Sequence, residues 1–312
     1  MRVNAIGRYV VGAAVLGMVF GALAEQQQAN HFQVDTISLR QGELCLQVDP
    51  GKGGRVSSVT LGEKELVFSA SPEHPENNNW GSTFWLSPQA LWGWPPVVAH
   101  DALPYRVLSF SEHSVSLESQ LGSGARITKD IAISAGDTPR IDLTYTIRAE
   151  KDFPQVAAWE ITRVPRDGLA FYPVTASSIK VPMGTIDYQL DKDFVVWQSL
   201  TANSQPPEGK LIANGAEGWL AWASEDLLYI KRYAPVPQMA MADGEGDIEV
   251  YVSGKLPYVE LEVQSAARAL TRGESLTWQV SWMLLELPED LEVFSGNPKL
   301  IEFVRQTLVA AS

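Results

Sequence analysis

From residue 43 onward the chain is a succession of short runs in which apolar and polar positions alternate, broken by Gly, Pro, Asp or Asn. Side chains alternate faces along an extended strand, so a period of two predicts strands rather than helices. The runs are Glu43–Val48, Arg55–Leu61, Tyr105–Ser111, Ser114–Ser119, Arg126–Ser134, Arg140–Arg148, Val156–Thr162, Gly218–Ala223, Leu227–Tyr233, Ile248–Val252, Tyr258–Gln264 and Ser275–Leu285. Strands at this density, with turn residues between them, predict an all-β fold whose natural architecture is a large antiparallel β-sandwich. A short C-terminal helix is the exception to the pattern. Asn297 can cap it and Pro298 suits its first turn, while Leu300, Phe303, Val304 and Leu308 recur at helical spacing and should dock on a sheet. No internal repeat, low-complexity segment or inter-domain linker is visible. Ser71–Pro96, Pro165–Pro182 and Asn203–Gly218 are rich in Pro and Gly and read as loops. A loop longer than about 15 residues in a compact domain usually has a function.

The first residues do not join this pattern. Arg2 and Arg8 precede an apolar run from Tyr9 to Leu23, and Ala22-Leu23-Ala24 stands before Glu25. This predicts a cleaved secretory signal over residues 1–24, because the run is short against the ~20 residues of a membrane span and ends in a small-x-small site. Export follows, with the periplasm as the favoured compartment. Residues 25–37 are expected to be a flexible mature terminus, 38–290 one sandwich domain and 291–312 the helix packed on it. Removing Arg2 and Arg8 takes the formal net charge from −13 to −15. So acidic a chain disfavours nucleic acid, and an anionic membrane after signal cleavage, since both require basic patches. Cys45 is the single cysteine, so no internal disulfide can form. His31, His74, His100 and His113 lack metal-ligand spacing, and nucleotide-loop, GxSxG and HExxH patterns are absent. Neither a metal nor a cofactor is expected.

Candidate chemistry begins with Asn77–Pro96, NNNWGSTFWLSPQALWGWPP, which holds Trp80, Trp85, Trp92 and Trp94, four of the ten tryptophans. Indole faces beside amides such as Asn79 and Gln89 suit a neutral polyhydroxylated ligand, a mono- or oligosaccharide. Core anchoring and a protein interface are the competing uses of such tryptophans. In Tyr258–Gln264, Val259, Leu261 and Val263 share one face, and Tyr258, Glu260, Glu262 and Gln264 share the other. That places two carboxylates roughly 6–7 Å apart, a spacing at which paired carboxylates can divide acid and base roles, unless the face is simply solvated. Gly53-Gly54 permits a tight turn that aims Arg55. Glu160 reads as a ligand contact or half of a salt bridge. Lys231, in the basic spot Lys231-Arg232-Tyr233, reads as a contact to a ligand or to Glu262, or as surface charge. His74 and His100 flank the aromatic block, and either is a candidate acid near neutral pH.

Taken together, GGRVSSVTLGEKELV, the tryptophan block, IKRYAP and IEVYVSGKLPYVELEVQSAARALTRGESLTWQVSWML resemble an uncharacterised family grouped with the galactose mutarotase-like proteins, over most of residues 38–286. The resemblance implies a supersandwich of two broad antiparallel sheets with a carbohydrate site on a concave face. It implies a strand-borne Glu as general base, a position that Glu262 or Glu260 matches, and an early arginine that Arg55 matches. The family's Asn-His-x-Tyr-x-Asn-Leu segment is absent, so neither mutarotase histidine is placed, and His74 or His100 would have to replace the acid. Three readings follow: an exported sugar-binding protein, an aldose 1-epimerase or related isomerase, and an envelope protein whose tryptophan block is an interface.

Overall fold

The computed structural model describes residues 36–69, 78–136, 139–175, 178–200, 207–224 and 226–311. The signal segment, most of the expected flexible terminus and His74 lie outside the described residues.

Two large antiparallel sheets stack face to face, as expected for an all-β sandwich. Among the described residues one has eleven strands. Its path runs Ile37–Gln41, Leu44–Asp49, Arg55–Leu61, Ser82–Ser87, Phe153–Pro165, Tyr258–Gln264, Ile248–Val252, Gly209–Ala213 and Lys180–Gly184, with two short strands attached off this path. The other has ten, in the order Gln189–Leu190, Val195–Ser199, Leu169–Pro173, Trp219–Ala223, Leu227–Tyr233, Ser275–Glu286, Arg140–Ala149, Ala125–Ser134, Ser114–Glu118 and Arg106–Phe110. The core fills the space between the sheets. Leu46, Val56, Phe84, Leu261 and Val263 from the first meet Ile127, Leu143, Tyr145, Tyr229 and Trp282 from the second.

The helix Pro298–Ala310 lies on the outward face of the ten-stranded sheet. Its Leu300, Ile301 and Val304 pack with Phe171, Trp197, Trp219 and Ile230. The Asn297 side chain accepts from Lys299 N (3.0 Å), as a cap should. No described helix is long and apolar enough to cross a membrane.

One correction concerns the tryptophan block. Its centre, Ser82–Ser87, is not a loop but an interior strand of the eleven-stranded sheet, all six residues buried. A strand buried on both faces has no apolar–polar alternation to reveal it. Leu169–Pro173 and Gly209–Ala213, inside two other segments read as loops, are strands for the same reason.

Candidate functional site

The outward face of the eleven-stranded sheet is rich in polar and aromatic groups. Directly opposed residues in an antiparallel pair share a face, so the register defines this one. Trp159 is opposite Trp85 and Gln264, Ile161 opposite Thr83 and Glu262, and Arg163 opposite Glu260. Glu249 and Tyr251 on the next strand oppose Glu262 and Glu260, and Lys210 opposes Tyr251. Tyr258, Glu260, Glu262 and Gln264 thus share a face as the alternation predicts. They are buried rather than solvated.

Three cations organise the carboxylates. Arg163 Nε donates to Glu260 Oε1 (2.8 Å), and its Nη1 donates to Thr83 Oγ1 (3.1 Å). Lys210 Nζ donates to Glu262 Oε2 (3.1 Å) and pairs with Glu249, while standing 4.8 Å from the Trp159 ring centroid. Glu249 and Glu262 face each other directly, an arrangement that repels unless a cation joins them. Arg55 Nη1 donates to the Asn78 carbonyl (2.5 Å), and its Nη2 to the Asp101 carbonyl (3.0 Å). Its guanidinium lies 4.3 Å over the Trp80 ring. The turn predicted to aim it has Gly53 at φ 71°, where a Cβ would stand 2.3 Å from the Asp101 carbonyl oxygen.

Burial pushes the Arg55 pKa down to about 10, with Asp101 opposing. Burial alone would lower Lys210, but Glu249 and Glu262 outweigh it and raise the ammonium. Burial raises the Glu260 carboxyl, with Arg163 opposing. Burial also raises Glu249, against the pull of Lys210.

Indoles form the rest of the face. Trp85 lies edge-on to Trp159 (centroids 5.5 Å apart), to Trp92 (5.6 Å) and to Trp94 (6.3 Å). Hydrogen bonds fix the rings: Trp85 Nε1 to Asp101 Oδ1 (2.8 Å), Trp159 Nε1 to Glu262 Oε2 (2.8 Å) and Trp92 Nε1 to the Leu86 carbonyl (2.7 Å). Asn79 Nδ2 donates to the Tyr258 hydroxyl (3.4 Å), and Gln89 joins through its backbone N–H to Glu245 Oε1 (3.3 Å). A cavity of about 290 Å³ opens beside this cluster, lined by Asn78, Asn79, Trp94, Pro95, Val98 and Asp101 among others. Three charged groups of this face are incompletely used, Arg55 through its buried Nε among them. Arg163 Nη2 and Glu262 Oε1 are buried and have no hydrogen-bond partner. Buried atoms without partners also occur elsewhere, Arg166 Nε, Trp222 Nε1 and Gln198 Nε2 among them. Leaving part of a charged group unpaired is the more costly case.

Arg55, Asn79, Trp80, Trp85, Gln89, Trp92, Trp94, Tyr258, Glu260 and Glu262 lie in one region of this face. Lys231 does not. Side chains of Leu227–Tyr233 alternate, and Lys231 points between the sheets, where its ammonium bonds Glu160 Oε2 (2.6 Å) and the Leu261 carbonyl (2.5 Å). Glu160 is accordingly half of a salt bridge and not a ligand contact, fully buried on the core side of its strand. His100 is also turned inward, its Nε2 3.1 Å from the Ala125 carbonyl. Burial lowers its pKa to about 4, so it is neutral and poorly suited to act as an acid near pH 7. Arg163, Trp159, Lys210, Glu249 and Asp101 were not singled out from the sequence. Parity along a strand offers one signal for Trp159 and Arg163: if Glu160 points inward, both must point outward.

Two sheets packed face to face, one with a charged and aromatic outward face, define a large β-sandwich with a polar site on that face. The chain belongs to the family described as Domain of unknown function (DUF4380), whose model matches residues 34–285. No functionally curated protein matches it. Among solved structures it is similar to the Slr1438 protein from Synechocystis sp. PCC 6803, at 12% identity and TM-score 0.50, over 81% of this chain and 96% of that one. It is also similar to a galactose mutarotase-like protein from Clostridium acetobutylicum, at 7% identity and TM-score 0.49, over 81% of this chain and 95% of that one. At 12% identity the likeness to the Slr1438 protein is one of fold.

Proposed function

We propose that this protein binds a neutral carbohydrate on the outward face of its eleven-stranded sheet, after export through the N-terminal signal. The observation that carries the reading is that Arg163 and Glu262, each with a buried charged atom lacking a partner, stand together beside the indoles Trp85 and Trp159. Arg163 Nη2 offers a donor and Glu262 Oε1 an acceptor, on adjacent strands and one diagonal step apart. A sugar hydroxyl both donates and accepts, so one vicinal diol satisfies both, while the C–H face of the ring packs on indole. The sign of the region supports a neutral ligand. Glu245, Glu249, Glu260, Glu262 and Asp101 outnumber Arg55, Arg163 and Lys210, which disfavours uronic or sulfated sugars.

Recognition is favoured over turnover by the placing of the acids. Glu262 has a free oxygen suited to a base, but of the described histidines His100 is buried against the Ala125 carbonyl (3.1 Å) and His113 bonds the Arg40 carbonyl (3.0 Å). Lys210, raised by two carboxylates, is a weak proton donor at neutral pH.

The test is saturation-transfer and two-dimensional exchange NMR of reducing hexoses with the protein. The reading expects saturation of sugar signals without faster exchange between α and β anomers. Faster exchange, lost in Glu262→Gln, would establish epimerase chemistry instead, and silence from every sugar would refute carbohydrate binding.

A further inference from the structure

Recognition groups on this face fall into two clusters. The first surrounds Lys210, where Glu249, Glu262 and Trp159 meet. The second surrounds the cavity of about 290 Å³, where Asn78, Asn79 and Trp94 stand over Asp101. Trp85 and Arg163 lie between them, with Trp85 touching Trp159 on one side and Trp94 on the other. From the Lys210 strand to the Ser82–Ser87 strand the sheet crosses four strand intervals, on the order of 19 Å at ~4.8 Å each. That breadth exceeds one pyranose ring several times over.

Trp94 differs from every other tryptophan in the chain. Seven of the ten are buried and two half-buried, whereas Trp94 is 64% exposed. It is positioned by its edge contact with Trp85, and it lines a cavity that also presents the two asparagines and Asp101. An indole facing water beside amides and a carboxylate has the composition of a stacking platform for a further sugar ring. Asp101 links the clusters. It takes the Trp85 indole N–H (2.8 Å) and the Asn78 amide, and its backbone carbonyl takes Arg55 (3.0 Å).

We propose that the ligand is a linear oligosaccharide laid across the strands, with one residue at the Lys210–Glu262 cluster and another stacked on Trp94. This rests on the carbohydrate reading above and narrows it from sugars in general to chains of at least two residues.

The experiment is calorimetric titration of the intact protein with glucose, maltose and maltotriose, with cellobiose and cellotriose, and with galactose, mannose and their β-1,4-linked di- and trisaccharides. Trp94→Ala is titrated in parallel. Within at least one series, affinity should rise about tenfold or more from mono- to trisaccharide, a gain of ~1.4 kcal/mol. Trp94→Ala should flatten that rise, reducing trisaccharide affinity far more than monosaccharide affinity. Equal affinity for one and three residues would overturn the proposal and leave a monosaccharide site, as would a length dependence that Trp94→Ala leaves intact. If no sugar of any length binds, the carbohydrate reading itself fails, and a change in self-association in Trp94→Ala would then assign the exposed indole to a protein interface.

Discussion

Two polar networks share the strand Phe153–Pro165 and lie on its opposite faces. The inward one is closed. Both oxygens of Glu160 are used, one by the Ser82 and Thr162 hydroxyls (2.6 and 2.8 Å) and the other by Lys231 (2.6 Å). The outward one, on the opposite face of the strand, is left open at Arg163 Nη2, Glu262 Oε1 and Arg55 Nε. Both networks are buried and both hold ion pairs, so burial alone does not separate structure from function. The two differ in completeness: the closed network fixes how the two sheets meet, while the open one keeps charged valences that a ligand or a water could take.

The comparison can be broken by experiment, and the largest effect is expected inward. Lys231→Met leaves Glu160 charged and unpaired between the sheets. It should lower stability by about 3–5 kcal/mol, read from the urea midpoint at constant m-value.

Next in size is an acid effect at His100. Its pKa falls from 6.5 to about 4 on folding because burial disfavours the cation. The unfolded chain therefore binds the proton more readily between those values. His100 should contribute nothing to pH dependence above about 6.5 and should cost stability progressively down to about pH 4, by up to ~3 kcal/mol. Urea midpoints across that range, in the parent and in His100→Gln, should show a shallower acid slope in the variant.

On the outward face Glu262→Gln should change stability by only about 1 kcal/mol, because Lys210 keeps Glu249 as a partner. Its sugar affinity should nonetheless fall about 10–100-fold, as expected for losing a hydrogen bond to a charged group. The smallest stability effect is expected for Trp94→Ala, within about 0.5 kcal/mol, since the ring is largely in water.

Much of this architecture is legible in the chain, and the remainder is hidden for a definite reason. Tyr258–Gln264, Ile248–Val252, Leu227–Tyr233 and Arg55–Leu61 were predicted to the residue. Three of these carry polar residues against an apolar face, so their period is visible. Ser82–Ser87 reads as loop in the sequence because STFWLS is buried on both faces and flanked by Gly and Pro. The facing of Tyr258, Glu260, Glu262 and Gln264 follows from alternation alone. What covers or opposes them depends on register between strands distant in sequence, such as Arg163 with Glu260 and Glu249 with Glu262. Nothing local encodes that register, so the sequence offers no sign of Lys210 or Arg163 and groups Lys231, on the other sheet, with the candidate residues. The C-terminal helix was recovered with its cap and with Leu300, Phe303, Val304 and Leu308 on one side. Ile301 joins them in the buried contact.

The most direct test of the contrast between a closed and an open network pairs two variants in one assay. Glu262→Gln and Glu160→Gln would each be titrated with the best-binding neutral sugar, and the urea midpoint of each would be recorded. The account predicts that Glu262→Gln loses about tenfold or more in affinity at nearly parental stability, whereas Glu160→Gln loses stability and, where folded, still binds. Parental affinity in Glu262→Gln, or a collapse of stability equal to that of Glu160→Gln, would mean that both networks are structural and would contradict it.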